Sequence, residues 1–213
     1  MNPLDRYNFA RHPRRTALKT ALAVLALPAA AGLLSACSQA KPQFQSVDLT
    51  GAEYATGFSL TDHNGQVRTL KDFAGKVVVV FFGFTQCPDV CPTTMAELAQ
   101  VKKLLGADGE KLQAVFVSVD PERDTPEILK AYMGNFDPSF VALRPTPAQL
   151  ADMAKDFKVF YKRVNGKAPG SYSMDHPAGS YVFDGSGKIR LFTRYGSGAE
   201  MLASDVKLLI KNS

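Results

Sequence analysis

With three cysteines and three histidines in 213 residues, the chain has few side chains able to hold a metal. A structural zinc site normally takes four protein ligands, and a supply this thin argues against one. Net charge is scarce once the leader is set apart. The net charge of +5 looks basic, but Arg6, Arg11, Arg14, Arg15 and Lys19 stand against Asp5 alone within residues 1–36, leaving 20 basic and 19 acidic residues for the remainder. A nucleic-acid-binding domain needs a basic face, and this one lacks the charge to build it. The chain also lacks internal repeats and the polar bias of disorder. With 46% hydrophobic and 21% charged residues it has the composition of one well-cored domain plus a targeting segment.

A long apolar run is missing as well. The stretch from Thr20 to Leu34 is short for a membrane span and is interrupted by Pro28 and Gly32. It follows a basic start and ends in Leu34-Ser35-Ala36-Cys37, the order of a secretory signal. These four residues resemble a bacterial lipoprotein box. The resemblance implies a signal peptide over 1–36, a diacylglyceryl thioether on Cys37 and a tether over 37–52, holding a domain from 53 to 213 on the periplasmic side of a bacterial membrane. An uncleaved anchor is the alternative. Upstream, Pro13-Arg14-Arg15-Thr16-Ala17-Leu18-Lys19 resembles a twin-arginine export motif, with Ala17 where a large apolar residue is usual. An ordinary basic leader fits equally well. With Cys37 lipidated, Cys87 and Cys91 are the free thiols, in a compartment that tends to oxidise them.

Residues 38–52 are polar and aperiodic, as a tether would be. The run Phe58-Ser59-Leu60 and the run Val67 to Leu70 flank Asp62-His63-Asn64-Gly65, which predicts a hairpin with His63 in its turn. Val77 to Phe82 and Ala114 to Val119 read as buried parallel strands joined by a helix through Met95, Leu98, Val101, Leu104 and Leu105. Thr125-Pro126 and Thr146-Pro147 each predict a helix start. Tyr161 to Gly179 reads as a long loop without structure of its own, and such loops are usually functional or disordered. A second hairpin spans Ser180 to Tyr195, and a closing helix runs from Ala199 to Lys211. This order matches an α/β thioredoxin-like fold with an N-terminal β-hairpin addition.

Cys87 and Cys91 sit where the first buried strand hands over to its helix, four residues apart and near enough for a disulfide or a shared metal. Pro92 predicts that regular helix begins there or later, placing Cys91 at a helix entrance that favours thiolate. A third ligand must come from elsewhere. His12 leaves with the leader and His63 sits in a turn, whereas His176 lies on the long loop just before a strand. Two thiolates and an imidazole make a soft site suited to Cu(I). An isolated histidine is more often structural, and the cysteine pair is what makes His176 a candidate. Met174 is soft and close to His176, so it is an auxiliary-ligand candidate, although methionine more often packs.

Gly83-Phe84-Thr85-Gln86-Cys87-Pro88-Asp89-Val90-Cys91-Pro92, then Val119-Asp120-Pro121-Glu122-Arg123-Asp124-Thr125, then Asp175-His176 resemble the three landmarks of the Sco/SenC family, over roughly residues 50–211. The resemblance implies a thioredoxin-like copper chaperone serving the dinuclear copper centre of cytochrome c oxidase. It implies Cys87, Cys91 and His176 as copper ligands, for Cu(I) with Cu(II) as a further candidate, and Asp120 as a residue behind the ligands or at a docking surface. Implied partners are the copper-bearing oxidase subunit, a periplasmic thiol reductant and another periplasmic copper chaperone. Two departures stand out: Gln86 where relatives often carry histidine, and Pro177-Ala178-Gly179 where bulkier residues are usual. The alternative function is thiol–disulfide oxidoreductase chemistry through a Cys87–Cys91 redox disulfide without obligatory copper, for which His176 is dispensable. Peroxide reduction is a third class, and nothing in the sequence singles out its residues.

Overall fold

The apolar run becomes the middle of the protein because every residue from Val77 to Gly83 is buried, on both faces of the strand. The structure, a computed structural model, describes residues 42–212. The signal segment, the arginine pair and Cys37 lie outside the described residues. In chain order the elements are β1 (Val47–Asp48), β2 (Ser59–Thr61), β3 (Val67–Thr69), β4 (Val77–Gly83), α1 (Val90–Leu104), β5 (Leu112–Ser118), α2 (Pro126–Gly134), β6 (Val141–Leu143), α3 (Pro147–Phe157), β7 (Lys162–Asn165), β8 (Tyr172–Asp175), β9 (Ser180–Phe183), β10 (Ile189–Thr193) and α4 (Ala199–Lys211). Short 3-10 turns at Leu70–Phe73 and Gly106–Lys111 join some of them.

Six strands form one mixed sheet in the order β1-β10-β9-β4-β5-β6. β4 runs parallel to β5, from Val77 opposite Leu112 to Gly83 opposite Ser118, and antiparallel to β9. Helices cover both faces. Phe81 lies opposite Phe116, and Tyr132 of α2 packs on that Phe116 ring at 5.6 Å. One residue on, Phe82 points the other way and meets Phe157 of α3 at 5.3 Å. The helices start where the Thr-Pro pairs stand. The Thr125 hydroxyl accepts from the Ile128 N–H, and Thr146 forms a capping box with Gln149.

The predicted first hairpin is β2–β3, with Gly65 at φ +82° in its turn, a conformation that glycine adopts without strain. His63 is structural. Its Nδ1 accepts from the Ala142 N–H at 3.1 Å while its own N–H donates to the Ala142 carbonyl, clipping the hairpin to β6.

Two segments differ from their sequence reading. Residues 161–179 contain the hairpin β7–β8, in register from Lys162 opposite Asp175 to Asn165 opposite Tyr172. All four β7 residues are exposed, so the alternation of apolar and polar residues that marks a half-buried strand is missing. The aperiodic segment after Pro42 is also packed. β1 adds to the sheet edge beside β10, and the Gln45 and Ser46 N–H groups donate to the buried Asp205 carboxylate at 2.9 and 2.8 Å. Two residues are too few to show periodicity in sequence.

Candidate metal centre

The end of β4 and the start of α1 bring the two cysteines together. At the mouth of the sheet the Val119 N–H donates to the Gly83 carbonyl at 2.8 Å, closing the tip of β4 onto the end of β5. The chain then turns, with the Cys87 N–H donating to the Phe84 carbonyl at 3.2 Å. Cys87 is half-buried and Cys91 fully buried, and both are free thiols. The Cys91 N–H points at the Cys87 sulfur, 3.5 Å away.

α1 begins at Val90, earlier than the Pro92 start predicted, so Cys91 lies inside the first helical turn. Pro92 is tolerated there because its missing N–H belongs to the first turn, where no intrahelical acceptor exists. The helix entrance was expected to favour the Cys91 thiolate. Instead, burial pushes the Cys91 thiol up; a backbone contact with Phe84 opposes this and Cys87 adds to it. Burial is the dominant influence at Cys91, and a bound cation would favour the thiolate instead.

His176 follows β8 directly, and the β7–β8 hairpin carries it to the cysteines. Its Nε2 lies 3.5 Å from the Cys91 sulfur across 85 residues of sequence. Its Nδ1 lies 3.0 Å from the Pro177 carbonyl, which can only accept, so Nδ1 carries the proton and Nε2 presents a lone pair. Burial lowers the His176 pKa, against the opposing influence of the Pro177 carbonyl and Asp175, and this keeps the imidazole neutral. The ring stands edge-on to Phe81 and Phe84, at 5.9 and 5.8 Å. Among the described residues no peptide bond is cis, Pro177 included.

The two sulfurs and a histidine nitrogen lie within 4.8 Å of one another, and among the described residues no other His, Cys, Asp or Glu cluster does so. A trigonal site with bonds of about 2.0–2.3 Å separates its ligands by on the order of 3.5–4 Å, so the trio fits a metal with little movement. Two thiolates and an imidazole are a soft set.

The SCO1/SenC family model matches residues 46–211. The chain belongs to the SCO1/SenC family. Among solved structures, it is similar to copper-bound ScoI of Bradyrhizobium japonicum, at 41% identity and TM-score 0.66 over 72% of this chain and 97% of that one. It is also similar to apo Sco1 of Thermus thermophilus, at 36% identity and TM-score 0.70 over 80% and 99%. An SCO2-like protein of Rickettsia felis is 35% identical over 159 residues, 73% of this chain and 78% of the relative. The fold is therefore the expected thioredoxin-like one, with the β2–β3 hairpin as its N-terminal addition.

In this Sco/SenC domain Asp120 stands behind the trio and outside it. Buried at 3% exposure, it accepts from Arg123 Nε and, at 3.0 Å, from the Tyr172 hydroxyl. Arg123 Nη1 then donates to the Gln86 side chain at 2.9 Å and to the Tyr172 carbonyl at 3.0 Å. Asp120 thus reaches the residue before Cys87, and the β8 strand that leads to His176, through one guanidinium. Gln86, the departure from the usual histidine, is an anchor for that guanidinium.

Asp124 was not singled out in sequence, although it lies in the second landmark. Fully buried, it accepts from the Thr85 hydroxyl and the Ser118 hydroxyl, both at 2.6 Å, and from the Thr85 N–H. Met174 is buried and lines a cleft with Asp120, Pro121, Leu150 and Tyr161, the packing role methionine usually has.

Gly83 leaves room for this arrangement. A Cβ there would lie 2.8 Å from ring atoms of both Phe116 and Phe81 and 3.0 Å from the Cys91 sulfur. Gly83→Ala is expected to lower stability by about 1–3 kcal/mol through overpacking and to weaken metal binding by displacing that sulfur. Urea unfolding beside metal titration checks both. Wild-type stability in this variant would show that the rings yield freely.

Proposed function

We propose that the protein is a membrane-tethered periplasmic copper-binding protein that delivers copper to the dinuclear copper site of cytochrome c oxidase, or prepares the thiols of that site. The observation that carries this reading is the convergence of the Cys87 and Cys91 sulfurs and a His176 nitrogen within 4.8 Å. Three supports stand beside it: family membership, the likeness to a Sco protein solved with copper bound, and a leader that resembles a lipoprotein box, which would put Cys37 at a membrane surface. The two thiols each lose a proton as Cu(I) binds, and the neutral His176 Nε2 completes a trigonal set with one net negative charge. Phe81 and Phe84 hold the imidazole and keep water from its flank. Copper leaves by ligand exchange, an acceptor thiol replacing the half-buried Cys87 before the buried Cys91 lets go. Another periplasmic copper chaperone is the proposed source, and the copper-bearing oxidase subunit the proposed acceptor.

A second reading is favoured by the cysteines alone. One sulfur is half-buried and accessible, and the other is buried behind it, close enough to close a disulfide. In that cycle the pair loses two electrons and two protons to a partner disulfide, which becomes two thiols, and a periplasmic thiol reductant restores the pair.

Anaerobic Cu(I) titration of the detergent-solubilised chain, with X-ray absorption to read the ligands, separates the two. The expected result is one Cu(I) per chain bound by two sulfurs and one nitrogen, with the nitrogen lost in His176→Ala. Unchanged affinity and coordination in His176→Ala would sink the three-ligand site and leave the redox reading.

A further inference from the structure

With the leader set apart, 20 basic residues face 19 acidic ones, and this near balance hides an uneven placement. Residues 157–174 hold Lys158, Lys162, Arg163 and Lys167 and no acidic residue. The rest of 37–213 then has 16 basic residues against 19 acidic ones. The whole positive excess lies on the stretch that forms β7 and β8, and all four of its basic side chains are exposed. Two of them are engaged locally. Lys158 Nζ lies 4.1 Å from the centre of the Tyr54 ring, and Arg163 stacks on Tyr172 at 3.7 Å with the Glu122 carboxylate 3.8 Å from its Nη1. Lys162 stands opposite Asp175 in the hairpin register, and Lys167 lies in the turn between the strands.

Apolar groups are exposed on the same hairpin. Phe160 is 66% exposed and Val164 39%. Beside them a cleft of about 160 Å³ opens between hairpin and body, lined by Tyr161, Tyr172 and Met174 on one side and Pro121 and Leu150 on the other. An exposed aromatic ring and an apolar recess, bounded by basic side chains, have the make-up of a protein interface with an apolar centre and a charged rim. An anionic lipid surface attracts the same lysines, but it is flat and does not fill a recess, so the combination favours a protein.

The hairpin is continuous with the metal centre. β8 ends at Asp175, and His176 follows it. Arg123 supplies a second link: its Cζ lies 3.5 Å from the centre of the Tyr172 ring and 5.9 Å from that of Phe84, and Phe84 stands edge-on to His176. A protein seated on the hairpin is therefore beside the residues that would hold copper.

We propose that the β7–β8 hairpin, with Phe160 and the adjoining cleft, is the docking surface for the copper acceptor, which meets it with an acidic face and an apolar side chain. The inference rests on the delivery reading above. Lys162 and Lys167 steer the encounter, and the apolar contacts hold the complex while copper exchanges its ligands. No residue of the patch binds the metal.

The full chain in non-ionic detergent, loaded with Cu(I), is mixed anaerobically with the copper-free periplasmic domain of the copper-bearing oxidase subunit. Binding is read by titration calorimetry, and transfer by separating the two proteins at timed intervals and assaying copper, at salt from about 0.02 to 0.5 M. Wild type is compared with the double variant Lys162→Gln, Lys167→Gln and with Phe160→Ser. In wild type, binding is expected to weaken about tenfold across this salt range; the lysine variant should bind about tenfold more weakly at low salt with a flatter salt dependence, and Phe160→Ser about tenfold more weakly at every salt. The Cu(I) dissociation constant of the chain alone should be unchanged in both. A weaker one would place these residues in the copper site instead and overturn the proposal. Variants that bind and transfer as wild type does would overturn the docking surface and leave the delivery reading standing. A preference for phosphatidylglycerol over phosphatidylcholine vesicles that is lost in the lysine variant, with acceptor binding unaffected, would assign the patch to lipid and overturn the proposal as well. Wild type that binds the acceptor through this patch without passing copper sinks the delivery reading and keeps the docking surface, and wild type that does neither sinks both.

Discussion

Cys91→Ser is expected to lose Cu(I) affinity by about a thousandfold and stability by about 1–3 kcal/mol, whereas Cys87→Ser loses a similar affinity with little change in stability. The affinity argument is the same at both positions. Serine does not ionise near neutral pH and offers a hard oxygen, so each change removes one soft anionic ligand. Thiolate-rich metal sites hold their ion with on the order of 10–16 kcal/mol, and about a third of that is roughly three decades in dissociation constant. The stability argument separates the two. Cys91 has no exposure and sits among Gly83, Phe81 and Phe116, where a hydroxyl must desolvate with the His176 Nε2, 3.5 Å from the sulfur, as its one nearby acceptor. Cys87 is half-buried, and water can reach the substituted oxygen. Chelator competition and urea unfolding on both variants test this. Equal stability losses would mean that the sulfurs have equivalent surroundings, contrary to the structure.

The same contrast in burial marks what sequence could and could not say about the site. Val77 to Phe82 was readable as a central strand because a run of valine and phenylalanine has only one stable place, covered on both faces. The cysteine spacing and the single unassigned histidine narrowed the ligand candidates, and the Sco/SenC landmarks joined them. What carries His176 to the cysteines was hidden. β7 and β8 pair through backbone groups while β7 leaves every side chain exposed, and backbone pairing leaves no mark on composition. Asp120, Arg123 and Asp124 read as a turn because Asp-Pro-Glu-Arg-Asp is what a turn looks like. Their roles depend on side chains crossing from that loop to Gln86, Thr85 and Tyr172, over 37 to 52 residues of sequence. In this fold the ligands are local or motif-borne, and the groups that orient them are tertiary.

Asp124 is the tertiary group whose loss should be felt most. Its carboxylate ties the loop before Cys87 to the end of β5 by accepting from the Thr85 hydroxyl and N–H and from the Ser118 hydroxyl. Asp124→Ala leaves those three donors without their acceptor, the Ser118 hydroxyl fully buried and the two Thr85 groups partly so. At about 1 kcal/mol or more each, the loss of stability should be on the order of 3–5 kcal/mol. Loosening Thr85 also frees Cys87 two residues on, so Cu(I) affinity should fall although no ligand has changed. The pH dependence distinguishes charge from geometry. Burial raises the Asp124 pKa above the ordinary aspartate value of 3.8, the Ser118 and Thr85 hydrogen bonds oppose this, and Asp120 adds to it. For an acid with a raised folded pKa, the stabilisation is fully present below the unfolded value and is lost as pH rises through the folded one. On account of this group, wild type should therefore gain stability as pH falls from neutral towards 3.8. Asp124→Asn keeps an acceptor oxygen without the charge. It should lose less stability than Asp124→Ala at neutral pH, and the gain on acidification should disappear. Urea unfolding of the three proteins from neutral to mildly acid pH reads this directly. Identical pH slopes in wild type and Asp124→Asn would mean that the carboxyl group titrates as it does in the unfolded chain, and that the raised pKa is wrong.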